Sequence, residues 1–363
     1  MSDADPSASL SVVIPARNAA GHLQRCLEAI RSARFGERAE IVIVDDHSPA
    51  PLEAQCPVSD VRWIRLERRR GPASARNAGA KQAAGELLVF FDADVVVEPN
   101  TLQALVEPLL SGRADVTHGV YRDTGDGNDA FARYKADWAG YKDHHRQHSS
   151  MTYLESFAFA CRREFFLASG GFSESLGPRE VVEDVEWSNR LRAHDARIVR
   201  VAEARVQHLH GYTLRSFFFW QVFNASSVLR LRLALRGQPW TPSVGGIPRG
   251  KTLALALSSV ASVLLLGFAA AAVLAIGSGL SWLLLAGLLL CLLLFLLTQA
   301  DFLLFVLRRR SCGAALRDLL VGFITGIAFA VGLLHGVFRH ASRPLQIPDP
   351  GAPVPGLARS GDE

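Results

Sequence analysis

The chain reads as an α/β domain, a mostly parallel sheet with flanking helices, followed by a region of transmembrane helices. Three observations predict this. Short, fully apolar segments alternate with amphipathic ones up to about residue 213, two of these segments end in paired carboxylates, and three long apolar runs follow Lys251, with most of the charge before it. Short strands apolar on both faces belong to a parallel sheet covered by helices on both sides.

Leu10 to Ile14 is the first strand. Gly21 to Arg34 repeats Leu23, Cys26, Leu27 and Ile30 at helical spacing, and Ile41 to Val44 is a second strand. Val61 to Leu66 adds a third, Ser74 to Ala84 a helix with Ser74 at its start, and Leu87 to Phe91 a fourth strand. Sheets of this kind bind ligands outside the carboxyl ends of their strands. Those ends read Pro15-Ala16-Arg17-Asn18, Asp45-Asp46-His47-Ser48 and Asp92-Ala93-Asp94.

Residues i and i+2 of an extended chain share a side, so Asp92 and Asp94 face one small volume. Two hard oxygen donors there suit Mg²⁺ or Mn²⁺ and a diphosphate held by it. Acidic pairs also end strands as solvated turn formers, and Asp45 before Ser48-Pro49 equally suits an Asx turn. No Gly-x-Gly-x-x-Gly follows the first strand and no Gly-x-x-x-x-Gly-Lys-Ser/Thr occurs, so neither a dinucleotide fold nor a P-loop is supported.

Further on, Glu183-Asp184 opens a helix through Trp187, Leu191 and Arg192, where acidic residues also complement the helix dipole. Val206 to His210 is strand-like, which points His208 and His210 to one side. His144, His145 and His148 fall in a segment rich in Asp, Lys, His and Arg that reads as a solvated loop.

Residues 214–250 begin with Phe217, Phe218, Phe219, Trp220 and Phe223 and continue to Arg230, Arg232 and Arg236. This suits an amphipathic interfacial helix, or equally a core helix. Residues 251–340 then hold three apolar runs, at about 253–276, 280–300 and 318–338, each near the ~20 residues that cross a bilayer. Basic residues precede the first run and separate the second from the third, while the 277–281 connection carries no charge. That places residues 1–213 on the cytoplasmic side of the plasma (inner) membrane. Met1 to Ser9 is polar and does not read as a signal peptide. Residues 341–363 read as a disordered Pro/Gly-rich tail. A net charge of +4, much of it beside the spans, speaks for anionic lipid and not for nucleic acid.

Taken together, Ser11 to Asn18, Val44 to Ser48, Gly71 to Gly79, Phe91 to Asp94, Gly170-Gly171-Phe172 and Glu183 to Glu186 resemble, in that order, the family 2 glycosyltransferases with the GT-A fold. The resemblance implies transfer of a sugar, with inversion, from a nucleotide-diphosphate donor to an acceptor, assisted by a divalent cation, Mg²⁺ or Mn²⁺. Carried onto these positions, it implies nucleotide-sugar binding by Pro15, Ala16, Arg17, Asn18, Asp45, Asp46, Arg76 and Asp92. It also implies a metal held by Asp94, with Asp92 as a second contact and His208 preferred to His210. Asp184 stands where the family has its general base, and Glu183 is the fallback.

The Gln-x-x-Arg-Trp of processive members is missing, since Trp220-Gln221-Val222-Phe223 has neither the order nor the Arg. Single-sugar transfer to a lipid-linked or membrane-associated acceptor is therefore expected. The rivals are a nucleotidyltransferase, which also uses acidic strand ends, and a non-catalytic nucleotide-sugar-binding membrane protein.

Overall fold

The computed structural model describes residues 9–122, 129–146, 154–209, 211–235, 249–274 and 281–348. They form two compact units: residues 9–122, 154–209 and 345–348 in the first, and residues 129–146, 211–235, 249–274 and 281–344 in the second.

In the first unit, β1 (Leu10–Ala16), β2 (Glu40–Asp45), β3 (Arg62–Arg65), β4 (Leu87–Phe91), β5 (Val95–Val97), β6 (Val116–Tyr121), β7 (Ala158–Arg162) and β8 (Ile198–His208) build one sheet. Its order is β3-β2-β1-β4-β7-β6-β8-β5. The half from β3 to β4 is parallel, as expected. Beyond it β7 runs antiparallel to both β4 and β6, β8 is parallel to β6, and β5 is antiparallel to β8. The sheet is thus mixed. β7 is buried along Ala158 to Cys161 like the strands of the parallel half, and an apolar run does not encode strand direction.

Helices α1 (Ala20–Ser32), α2 (Leu52–Gln55), α3 (Pro72–Gln82) and α4 (Thr101–Leu110) precede α5 (Ala130–Arg146) of the second unit, and α6 (Arg163–Ala168) and α7 (Glu183–Ala193) return to the first. Alternation along the strands divides two cores. Val12, Ile14, Val89 and Phe91 face Leu23, Leu27 and Leu105, whereas Val13, Leu88 and Phe90 face Phe159, Phe166 and Trp187.

Expected to start at Ser74, α3 starts at Pro72, whose ring suits the first helical turn. Gly71 before it has φ +92°, and a Cβ there would lie 2.7 Å from Pro178 Cα, so only glycine fits. Helix α3 then lies close on β1 and β2 at Gly79, where a Cβ would come within 2.4 Å of Val13 Cγ1 and 3.1 Å of Val44 Cγ2. Gly79→Ala gains about 1 kcal/mol in helix propensity but overpacks the core at a cost of about 1–3 kcal/mol. A net loss of thermal stability is expected, and a melting curve on the variant checks it.

The second unit holds α5 with α8 (Leu214–Ala234), α9 (Arg249–Leu274), α10 (Ser281–Arg309) and α11 (Cys312–Ser342). Among the described residues, Trp282–Arg309 and Cys312–Ser342 are long and apolar enough to cross a membrane, and Leu257–Ala271 is a shorter apolar stretch. The first of the three expected runs is α9, and residues 275–280 after it lie outside the described set.

Helix α8 opens on a Thr213/Ser216 capping box. It packs on α11 where Gly332 and Gly336 leave no room for side chains, a Cβ at Gly332 falling 2.5 Å from Val222 O. Phe217, Val222 and Arg230 are buried, Phe217 against the rings of Phe131 and Tyr134, and Arg230 donates to Arg343 O at 2.6 Å. Arg230 is therefore an internal residue and not a headgroup contact, while Leu214, Phe219 and Phe223 are exposed.

The segment read as a solvated loop is α5 over residues 130–146. Tyr134, Trp138 and Tyr141 set their rings 5.8, 5.1 and 5.4 Å from Phe302 of α10, Tyr141 donates to Asp301 at 2.9 Å, and Asp137 receives Arg310 and Arg317. Its buried face is aromatic and interrupted by charge, which masks the helical period. His144 sits 5.7 Å from the Phe305 ring, and His148 lies outside the described residues.

The tail departs from its expectation as well. Ala341 and Ser342 continue α11, and Gln346 to Pro348 line a cavity of about 620 Å³ with the Gly170–Ser175 loop of the first unit. Residues 349–363 lie outside the described set.

Candidate active site

The sheet brings the carboxyl ends of β1, β2, β4, β6 and β8 and the start of β7 to one rim, with Phe91 opposite Ala158 and Val95 opposite His208. Two non-glycine residues there adopt left-handed backbone, Asn18 at φ 52° and His47 at φ 54°. Such positions are uncommon outside glycine and cluster where surrounding structure enforces them. The Asn18 N–H donates to Ser48 Oγ at 3.0 Å and fastens the first loop to the second. Arg17 and Asn18 stay exposed, Pro15 is half-buried and Ala16 is buried.

Both carboxylates ending β2 are engaged by the chain itself. Asp45 accepts from the N–H groups of Ser48 at 2.8 Å and Leu52 at 3.2 Å and pairs with Arg65. Burial pushes its carboxyl up, but the bonds from Ser48 and Leu52 and the Arg65 charge outweigh this and hold it below its ordinary value. Asp46 accepts from the N–H groups of Arg70 at 2.6 Å and Gly71 at 2.9 Å, which draws the loop before α3 to the rim.

The Arg76-Asn77 pair and Gly170-Gly171-Phe172 fit each other. Asn77 donates to Phe172 O at 2.8 Å and accepts from Phe172 N at 3.0 Å. Gly170 and Gly171 have φ of +75° and +59°, and a Cβ on Gly171 would lie 2.6 Å from Asn77 Oδ1. The two glycines let this backbone close onto the amide.

Arg76, 2% exposed, reaches Asp92 Oδ1 with Nη2 at 2.7 Å and Glu183 Oε1 with Nη1 at 2.9 Å. Next to Glu183, the half-buried Asp184 accepts from Val185 N at 2.8 Å and from Ser156 N at 3.4 Å, while Asp92 N donates to Phe157 O at 3.1 Å. Consecutive residues 156 and 157 thus tie the start of α7 to the end of β4.

On the other side of Asp92, Asp94 Oδ2 lies 3.4 Å from His208 Nε2, and both side chains are about a quarter exposed. Leu209 N donates to Asp94 O at 2.7 Å, and the Tyr121 ring meets His208 edge-on at 5.8 Å. His210 lies outside the described residues. Burial and then the Asp94 charge push the Asp92 carboxyl above its ordinary value, against the opposing pull of Arg76 and His208. A divalent cation among these groups would offset that penalty. No group of three or more His, Cys, Asp and Glu is set to hold a metal by itself among the described residues. The Asp94/His208 pair suits a cation that takes its remaining ligands from water and phosphate oxygens.

The groups that sequence reasoning missed are Arg65, the backbone of Ser156 and Phe157, and Tyr121. Only Arg65 carried a signal, as an isolated charge at the end of a strand beside the acidic one.

Residues 11–168 match the family model described as Glycosyl transferase family 2. A pre-mycofactocin glycosyltransferase of Mycobacterium tuberculosis is 28% identical over 230 residues, 61% of this chain and 47% of that protein. A dolichol-phosphate mannosyltransferase of Pyrococcus furiosus is 33% identical over 117 residues, 30% of this chain and 32% of that protein. The chain spans less than half the length of both. The structure of mannosyltransferase PcManGT from Pyrobaculum calidifontis, in complex with GDP-Man and Mn²⁺, superposes with a TM-score of 0.55 at 15% identity, covering 93% of this chain and 89% of that one. That likeness is one of fold, a GT-A-type mixed sheet with flanking helices.

Proposed function

Through residues 11–168 the chain belongs to glycosyl transferase family 2, and from that premise we propose that it is an inverting transferase moving one sugar from a nucleotide-diphosphate donor to a lipid-linked or membrane-associated acceptor. The observation that carries this reading is the joining of the Asp92/Asp94/His208 group to Asp184 through Ser156 and Phe157 on a single rim. Asp94 and His208, with Asp92 beside them, would hold Mg²⁺ or Mn²⁺. The bound cation supplies Lewis-acid neutralisation of the diphosphate that departs. The mixed oxygen and imidazole set favours Mn²⁺ of the two.

Asp184 serves as the base. Glu183 is buried and spent on Arg76, whereas Asp184 is half-buried at the first turn of α7. Its carboxylate takes the acceptor proton as the acceptor oxygen bonds to the anomeric carbon, and the bond from that carbon to the diphosphate oxygen breaks on the opposite face. The loops after β1 and β2, the first carrying the exposed Arg17, form the donor's nucleotide side.

The long apolar helices α10 and α11 anchor the chain in the plasma (inner) membrane with the first unit cytoplasmic. The acceptor is then a lipid or lipid-linked molecule at that surface, the kind that the Pyrococcus relative's name describes. The Pyrobaculum structure's GDP-Man and Mn²⁺ fit the donor and cation of this reading.

A thermal-shift screen of the purified full chain against UDP-, GDP- and dTDP-sugars tests it. One donor class is expected to stabilise the protein only with Mn²⁺ present, by about 2.7 kcal/mol at a hundredfold excess over Kd. Turnover is expected to release a nucleoside diphosphate. Pyrophosphate as the product would establish a nucleotidyltransferase instead.

A further inference from the structure

Arg76 is the most enclosed cation of the rim, and its geometry is not that of a donor contact. Each terminal nitrogen donates to a carboxylate, Nη2 to Asp92 and Nη1 to Glu183. The remaining nitrogen, Nε, is buried without a hydrogen-bond partner, and the guanidinium lies 5.5 Å from the centre of the Phe172 ring. None of these contacts turns a donor group outward. The two carboxylates that it joins sit at different functional places, Asp92 two residues before Asp94 and Glu183 one residue before Asp184.

We infer that Arg76 is a positioning residue: its fork fixes the distance between the metal side of the site, through Asp92, and the base side, through Glu183. This rests on the reading of Asp94 and Asp184 given above. A planar guanidinium spans two carboxylates at once with fixed angles, while an ammonium is a point charge that centres on one. Asn77, next in the chain, locks α3 to the Phe172 backbone, so the fork has a rigid base from which to act. Loss of the fork leaves each carboxylate on its own element with the Ser156–Phe157 tie alone to set their spacing, and a small misplacement of reacting groups is costly to the chemical step.

The test uses the full chain, as wild type, Arg76→Lys, Glu183→Gln and the pair combined, with steady-state kinetics, melting temperature and Mn²⁺-dependent binding of the nucleoside diphosphate. Arg76→Lys keeps the charge, and Glu183→Gln leaves Arg76 its bond to Asp92, so folding is expected in both. For each, kcat is expected to fall about 100-fold with the donor KM and nucleotide Kd nearly unchanged. The pair combined is expected to be no worse than either, because the two residues act as one unit.

A raised donor KM and nucleotide Kd at unchanged kcat would make Arg76 a donor contact and overturn the inference, as would Glu183→Gln with wild-type kcat. Both results would leave the transferase reading standing. A wild-type protein that turns over donor without releasing a nucleoside diphosphate would overturn that reading and this inference together.

Discussion

Asp184→Asn is expected to lower kcat by about 10²- to 10⁴-fold, the usual worth of a positioned general base, while the melting temperature and nucleotide binding stay close to wild type. The substitution is nearly isosteric, and the amide oxygen can still accept from Val185 N and Ser156 N, so the geometry at the start of α7 is retained. What is lost is the capacity to take a proton. The discriminating measurement is the pH–rate profile. In the wild type, kcat/KM rises as the base deprotonates, and that acid limb is expected to vanish in Asp184→Asn. Glu183→Gln also slows turnover but is expected to keep the limb, because Glu183 acts through Arg76 and not on the acceptor. An unaltered limb in Asp184→Asn would remove Asp184 from the role.

Much of this rim was legible because its information is local. β4 is an unbroken apolar run and β1 is interrupted only at Ser11, and polar residues follow both, so their carboxyl ends and the two-residue spacing of Asp92 and Asp94 are directly legible. The start of α7 at Glu183 was marked by acidic residues in its first turn. His208 was placed on a strand by the pattern around it, and the strand ends there.

Other features depend on partners 28 to 107 positions away and leave no period to read. Asn77 meets Phe172, Arg76 meets Glu183, and Ser156 meets Asp184 through its backbone, which no side-chain pattern records. The direction of β7 and the helical state of α5 were hidden for a related reason: each is decided by what it packs against. Asp45 and Asp46 illustrate the intermediate case. The sequence offers a turn or a nucleotide contact for them, and the structure adds the backbone N–H groups of Ser48, Leu52, Arg70 and Gly71 as partners of their carboxylates.

The second large effect is expected at Asp94. A cation that neutralises the departing diphosphate is worth several kcal/mol in the transition state, and about 4 kcal/mol corresponds to roughly a thousandfold in rate. Asp94→Ala is expected to lose about that much activity, and saturating Mn²⁺ should not restore it. His208→Ala removes a neutral donor instead of a charge, so it should be rescued in part as Mn²⁺ is raised. The backbone around both residues is held by the Leu209 N–H to Asp94 O bond and by the β5–β8 ladder, neither of which involves the deleted side chains. Fold loss is therefore not expected to confuse the result. The check that does not depend on turnover is a Mn²⁺ titration of nucleotide-induced thermal stabilisation, in which the midpoint should move far upward for Asp94→Ala and less for His208→Ala. A wild-type midpoint in Asp94→Ala would place the cation elsewhere on the rim, and Asp92, half-buried and held by Arg76, would be the carboxylate left to bind it.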